Sequence, residues 1–249
     1  MDLDNLPVTK NGIPWTGLYK FNQPVKALYI EALKTIWNTV DWGDAYENYR
    51  RPSHQKAIYP NTRFISTGPF NVNSQNKKFH NIATIVANDL LQLFPQPMCF
   101  LYAEMTLLTP NGGVPWHHDR MSLHSLTSRV LIPFTYHGDD IKYQFCSWNK
   151  DTPLNEVRFE AGKYLSNDIT EYTLDFGYYH VFNNRVPHTT LNSSSKPRGI
   201  LMVDVIPTDV FHTCKLDGKS LMERPFSEWS NIFGTISEFE RQRLGPGNV

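Results

Sequence analysis

The chain is poor in cysteine, in net charge and in long apolar runs, and each shortage excludes something. Its three cysteines, Cys99, Cys146 and Cys214, stand far apart and form no CxxC pair. That argues against a disulfide framework and against a structural zinc site, so a reducing, cytoplasmic compartment is expected. Lys+Arg and Asp+Glu number 24 each, giving a formal net charge of zero. A protein that neutralises many phosphates needs a basic face, and no local run of Lys and Arg supplies one, so nucleic acid is not an expected partner. The opening MDLDNLPVTKNG carries two aspartates and no apolar core, which does not read as a signal peptide. The longest apolar run, over 98–108, is interrupted by Glu104, and no membrane partner is expected. Without a secretion signal, the Asn-x-Ser triplet at 192–194 carries no weight as a glycosylation site.

What is present is apolar side chain. Hydrophobic residues make up 40% of 249 and aromatics 13%, enough for one large core, so 1–249 reads as a single domain. Within it, 1–97 reads as mostly helical and irregular support. Over 24–39, Val25, Leu28, Tyr29, Leu33, Ile36 and Trp37 recur at helical spacing, with Pro24 suited to a first turn. Residues 41–78 are rich in Asn, Pro, Ser and Gly and read as irregular connections. A second helical period follows over 80–94, through Ile82, Ile85, Val86, Leu90, Leu91 and Phe94, before Pro95 and Pro97.

From residue 98 the texture changes to short β-branched and aromatic runs: CFLYAEMTLL, GVPWHHD, SRVLIPFTY, IKYQFCSW, VRFEAGKYL, YHVFNN, HTTLN and GILMVDVI. No crossover helix fits between them, so an antiparallel arrangement follows, mainly β with supporting helices, best matched by a double-stranded β-helix, the cupin-like jelly roll, over 98–212. Residues 213–249 return to helix-compatible composition in FSEWSNIFGTISEFERQRL before GPGNV.

The segment richest in chemistry is NGGVPWHHDR, residues 111–120. Val-Pro biases the chain toward extended geometry, and on a strand His117 and Asp119, at i and i+2, project from one face. On a helix they would diverge by about 200°. A histidine and a carboxylate converging in this way are two thirds of the facial triad that holds non-haem Fe(II) and leaves positions open. The third ligand should be a distant histidine. Nine are available, and the surroundings of His188 single it out: in FNNRVPHTTLNSSSKPR a turn-forming Ser-Ser-Ser-Lys-Pro separates two extended runs and brings Arg198 in ten residues on. A straight chain would hold the two side chains roughly 33 Å apart. Folded back across a sandwich whose inner faces lie about 10 Å apart, they can grip opposite ends of a short dicarboxylate.

The pattern His117-x-Asp119, His188, Arg198 in a strand-rich setting resembles the Fe(II)- and 2-oxoglutarate-dependent dioxygenases. The wording GGVPWHHDR, SRVLIPF and GYYHVFNNRVPHTTLNSSSKPRGILMVDV looks most like their aspartyl/asparaginyl β-hydroxylase branch, which includes free-proline hydroxylases. The resemblance covers roughly residues 98–208. It implies that His117, Asp119 and His188 bind iron and that Arg198 pairs with the distal carboxylate of 2-oxoglutarate, a bidentate match for guanidinium. It further implies that Arg129 faces a cosubstrate or substrate carboxylate. Asp119 departs from aspartyl/asparaginyl hydroxylases that lack a carboxylate ligand and leans toward the amino-acid-hydroxylating members. The implied activity uses O2 to hydroxylate an unactivated C–H of an amino acid or of a peptidyl Asp, Asn or Pro side chain, releasing succinate and CO2. The alternative is a catalytically silent cupin-like module that binds a metal or small molecule.

Other polar residues have ordinary readings. His118 has the wrong parity to share a strand face with Asp119. His180 would put Arg198 eighteen residues on, atypical for the family, and reads as structural. His124 and Arg120 suit a solvated loop, and Asp139 and Asp140 a turn. Trp116, Tyr136 and Tyr143 are candidates for the walls of a pocket.

Overall fold

The structure, a computed structural model, describes residues 18–40, 42, 62–66, 74–117, 128–136, 141–146, 169–182, 188–213, 215–216 and 219–220. Twelve strands appear among them: β1 (Leu18–Pro24), β2 (Thr62–Ser66), β3 (Met98–Leu108), β4 (Gly113–His117), β5 (Ser128–Pro133), β6 (Ile141–Cys146), β7 (Ile169–Tyr172), β8 (Tyr178–Phe182), β9 (His188–Asn192), β10 (Arg198–Pro207), β11 (Lys215–Leu216) and β12 (Lys219–Ser220). Three helices accompany them, α1 (Ala27–Thr39), α2 (Ser74–Leu91) and α3 (Thr208–Thr213). No helix among the described residues is long and apolar enough to cross a membrane.

The strands form a six-stranded sheet in the order β1-β8-β5-β10-β3-β2, a four-stranded sheet in the order β4-β9-β6-β7, and the hairpin β11-β12. Every described pairing is antiparallel. On one face of the larger sheet, Ala103, Met105, Val130, Ile132, Tyr179, Val181, Leu201 and Val203 are buried in one core with Ile30 and Leu33 of α1 and Phe79, Ala83, Val86, Ala87 and Leu90 of α2. On its other face, Leu131 and Ile200 pack with Ile141, Tyr143 and Phe145 of the smaller sheet. Strand β10 is thus covered on both sides and almost wholly buried. That double burial is why its sequence, RGILMVDVIP, shows little alternation. Two facing antiparallel sheets with helices on one outer side make the expected cupin-like jelly roll.

The N-terminal part departs from expectation. Residues 18–24 and 62–66, placed by composition in a supporting segment, form the two edge strands of the larger sheet, β1 against β8 and β2 against β3. Pro24 ends β1 instead of opening a helix. An edge position suits it, since proline has no N–H to give to a ladder. Helix α2 runs from Ser74 to Leu91, six residues earlier than its periodicity suggested. Its buried stripe uses Phe79, Ala83 and Ala87, while Ile85 lies exposed, as does Leu28 on α1. Strand β7 was not foreseen. The expected strand over 157–165 and the expected tail helix over 226–244 lie outside the described residues.

Candidate functional site

The inner faces of the two sheets carry the polar residues of interest. Arg198 opens β10, and its Cα partner is Leu108 of β3. The next inward positions of β10 face Thr106, Glu104 and, across to β5, Leu131 and Arg129. On the smaller sheet His188 opens β9, buried, with Phe145 of β6 as one register partner and His117 of β4 as the other. The Phe145 and His188 rings sit 6.1 Å apart at 33°. Phe145 belongs to the core that includes Ile200, two residues from Arg198, so His188 and Arg198 both lie between the sheets, one from each.

Local sequence explains how the strands reach these positions. The β3–β4 turn has Pro110 followed by Asn111 at a φ of 55°, and the Gly112 N–H donates to Thr109 O at 2.8 Å. Proline then a left-handed Asn is the pattern of a type II turn. Gly113 follows because β4 lies close on β9: a Cβ there would stand 2.2 Å from Thr190 O. Thr189 ties the same two strands, its Oγ1 donating to Val114 O at 2.7 Å. The register then slips by one residue between Val114 and His117, which brings His117 opposite His188. Such a bulge re-aims a strand end, as is common beside functional sites.

Arg198 is buried, and its Nε has no hydrogen-bond partner among the described residues, while Nη1 donates to Pro197 O at 3.3 Å. Arg129 is different. Its Nε donates to Asp204 Oδ1 at 2.8 Å and its Nη2 to Asp204 Oδ2 at 2.9 Å, a bidentate pair with both side chains buried. Two of its N–H groups therefore meet a carboxylate supplied by the fold itself. Sequence reading missed Asp204, although an acid inside the apolar run GILMVDVI calls for a buried counter-charge.

Of the remaining expected residues, Asp119, His118, Arg120, His124, Asp139 and Asp140 lie outside the described residues, as does the side chain of His117. Among the described residues no three His, Cys, Asp or Glu side chains cluster. His180 is structural: the Asp175 N–H donates to its Nε2 at 3.2 Å and its Nδ1 lies 3.1 Å from Tyr178 O, so Nδ1 carries the proton. Burial pulls its pKa down to about 4, and the ring is neutral. Tyr143 faces inward, and desolvation pushes its phenol far above the ordinary tyrosine range, keeping it a neutral donor. Trp116 is half-buried on β4. Tyr136 is 72% exposed and walls no interior space.

No protein-family model matches the chain, and no curated protein matches its sequence. Among solved structures the chain is similar to HygX from Streptomyces hygroscopicus with nickel and 2-oxoglutarate bound, at a TM-score of 0.54 and 14% identity over 84% of this chain and 90% of that one. It is similar to SnoK, a non-heme alpha ketoglutarate dependent carbocyclase from nogalamycin biosynthesis, at a TM-score of 0.54 and 11% identity over 77% of this chain and 80% of that one. SnoN, the epimerase of the same kind and pathway, gives 0.52 and 13% over 77% and 79%. At these identities the likeness is one of fold: the chain has the jelly roll of 2-oxoglutarate-dependent non-heme iron oxygenases. The aspartyl/asparaginyl β-hydroxylase branch is a finer assignment than that likeness carries.

Proposed function

We propose that the protein is an Fe(II)- and 2-oxoglutarate-dependent dioxygenase, with His117, Asp119 and His188 as metal ligands and Arg198 as the anchor for the distal carboxylate of 2-oxoglutarate. The observation that carries the reading is Arg198 itself. A buried guanidinium is costly unless an anion meets it. Arg129 has Asp204, whereas the Nε of Arg198 has no partner among the described residues. Its neighbours along β10 face the sheet that bears His188, and a carboxylate entering between the sheets would complete it.

The donor set fits the metal. Two histidines at partner positions of adjacent strands have the backbone spacing that ligands of one ion need, and a carboxylate two residues beyond His117 supplies the third. Bound iron with 2-oxoglutarate and O2 supplies the oxidising power for an unactivated C–H bond, with release of succinate and CO2. The chain's own contribution is placement. Arg198 fixes one end of the cosubstrate through charge-assisted hydrogen bonds in a water-poor space. Phe145, packed in the same apolar cluster as Ile200 and Leu131, covers the ring of the buried His188.

For the substrate, the wording of the GGVPWHHDR and HTTLNSSSKPR segments supports hydroxylation of an amino acid, or of a peptidyl Asp, Asn or Pro side chain. HygX has also been solved with hygromycin B bound. We therefore place hygromycin B beside amino acids and Asp-, Asn- and Pro-containing peptides in the assay panel. The test is succinate formation by purified protein with Fe(II), 2-oxoglutarate and that panel, against His117→Ala and Arg198→Ala. Succinate that depends on both residues is the expected result. Metal and 2-oxoglutarate binding without succinate on any panel member would identify a binding module instead, and failure to bind either would end the reading.

A further inference from the structure

Asn192 lies four residues after His188 and six before Arg198, and it is fully buried. Its Nδ2 stands 3.0 Å from each of three carbonyl oxygens, those of Leu108, Thr109 and Lys196. Its Oδ1 accepts from the Ser194 N–H at 3.1 Å and from the Ser194 hydroxyl at 2.7 Å, and its own N–H donates to Gly112 O at 2.8 Å. One side chain thus joins the end of β3, the β3–β4 turn and the β9–β10 turn. Leu108 is the register partner of Arg198, and Lys196 precedes Arg198 by two residues. Ser194 completes the turn: its hydroxyl also lies 2.9 Å from Lys196 O, its one proton being shared between that carbonyl and Asn192 Oδ1, and it accepts from the Lys196 N–H at 3.3 Å.

We infer that Asn192 is a positioning residue for Arg198: it sets the backbone on both sides of the guanidinium and so fixes where the distal carboxylate of 2-oxoglutarate is met. The inference rests on the proposed function. An amide is the side chain that suits this place, because it donates to carbonyls and accepts from the turn N–H and hydroxyl at once. Alanine would take one donor from each of three carbonyls and remove the acceptor of the Ser194 N–H, and aspartate would set a negative charge against the three carbonyls. A buried side chain bonded to three neighbouring backbone segments holds their geometry tightly, and sub-ångström placement is what an anchor for a small anion requires.

The experiment measures 2-oxoglutarate affinity by calorimetry on Ni(II)-loaded protein, in wild type, Asn192→Ala, Arg198→Ala and the double variant. Asn192→Ala should weaken 2-oxoglutarate by about tenfold when Arg198 is present and by less than about twofold when it is absent, the signature of two residues acting as a unit. Ser194→Ala removes part of the same network and gives a second series, expected at about threefold with Arg198 and no change without it, should Asn192→Ala not fold. Equal losses with and without Arg198 would overturn the inference by showing a general loosening of the roll, and so would the absence of any loss in both series. A wild type that does not bind 2-oxoglutarate would overturn the proposed function itself.

Discussion

A guanidinium buried between two sheets needs an anion, and the two arginines described there differ in where theirs comes from. Asp204 meets Arg129 within the fold, so removing it takes a carboxylate from two N–H groups of a buried charge. Asp204→Ala should cost about 3–5 kcal/mol of stability in a denaturant titration, and replacing both partners by apolar residues of similar volume should cost less than the single change. His180 makes the opposite kind of prediction, because its neutral form is the buried one. Its pKa falls from the ordinary 6.5 to about 4 on folding. The unfolded chain therefore binds the proton more readily, and the stabilisation is complete above about pH 6.5 and lost as pH falls toward 4, worth roughly 3 kcal/mol in full. Melting temperatures at pH 7 and pH 5 should show this slope in wild type and a shallower one in His180→Gln. Motif spacing alone pointed to His188 and Arg198, because the turn that joins them is written in the intervening residues. Asp204 and Asn192 were not legible as partners, since Arg129 is 75 positions from Asp204 and Leu108 is 84 from Asn192. Pairing of β10 with β5 brings the first two together, and pairing of β9 with β4, just past the β3–β4 turn, brings the second two.

At the scale of elements, legibility followed burial. Strands β3 to β6 and β8 to β10 announce themselves because one or both faces are apolar. Strands β1, β2 and β7 do not: they lie at sheet edges, and the polar residues of β1 and β7 meet solvent, as the exposed Lys20, Asn22, Thr170 and Glu171 show. Their places are set by ladders to neighbours, and a period-2 signal is weakest there. The strand pairing that matters for the site is β4 on β9, and its tolerance is small at Gly113. A Cβ 2.2 Å from Thr190 O has only backbone to push against, so Gly113→Ala should displace β4. The expected outcome is at least about tenfold weaker Ni(II) binding by calorimetry, because His117, the proposed ligand on β4, would be moved by an ångström or more. Helix α2 is the counterpart on the outer side. Phe79 is fully buried against the sheet face that points away from the site. Phe79→Ala should lose about 3–5 kcal/mol of stability to the cavity it leaves, while the folded protein keeps its 2-oxoglutarate affinity. A fall in affinity of the same order as in Gly113→Ala would show that the two faces of the sheet are coupled.

At the scale of the whole molecule, equal numbers of Lys+Arg and Asp+Glu leave no net field to draw in a dicarboxylate. Exposed pairs such as Lys26 with Asp89 and Lys142 with Glu171 neutralise each other locally, each carboxyl being held below its usual range by its lysine. On the proposed function, attraction of 2-oxoglutarate would then rest on charges inside the roll, above all Arg198. Salt separates the two cases. A surface field is screened over a Debye length of about 8 Å at physiological ionic strength, whereas a desolvated guanidinium is screened much less. Raising salt to about 0.5 M should therefore change 2-oxoglutarate affinity by less than about threefold, and Arg198→Ala should remove most of the affinity at every salt concentration. A steep fall with salt in the wild type would mean that exposed lysines carry the capture, and that the buried arginine is not its seat.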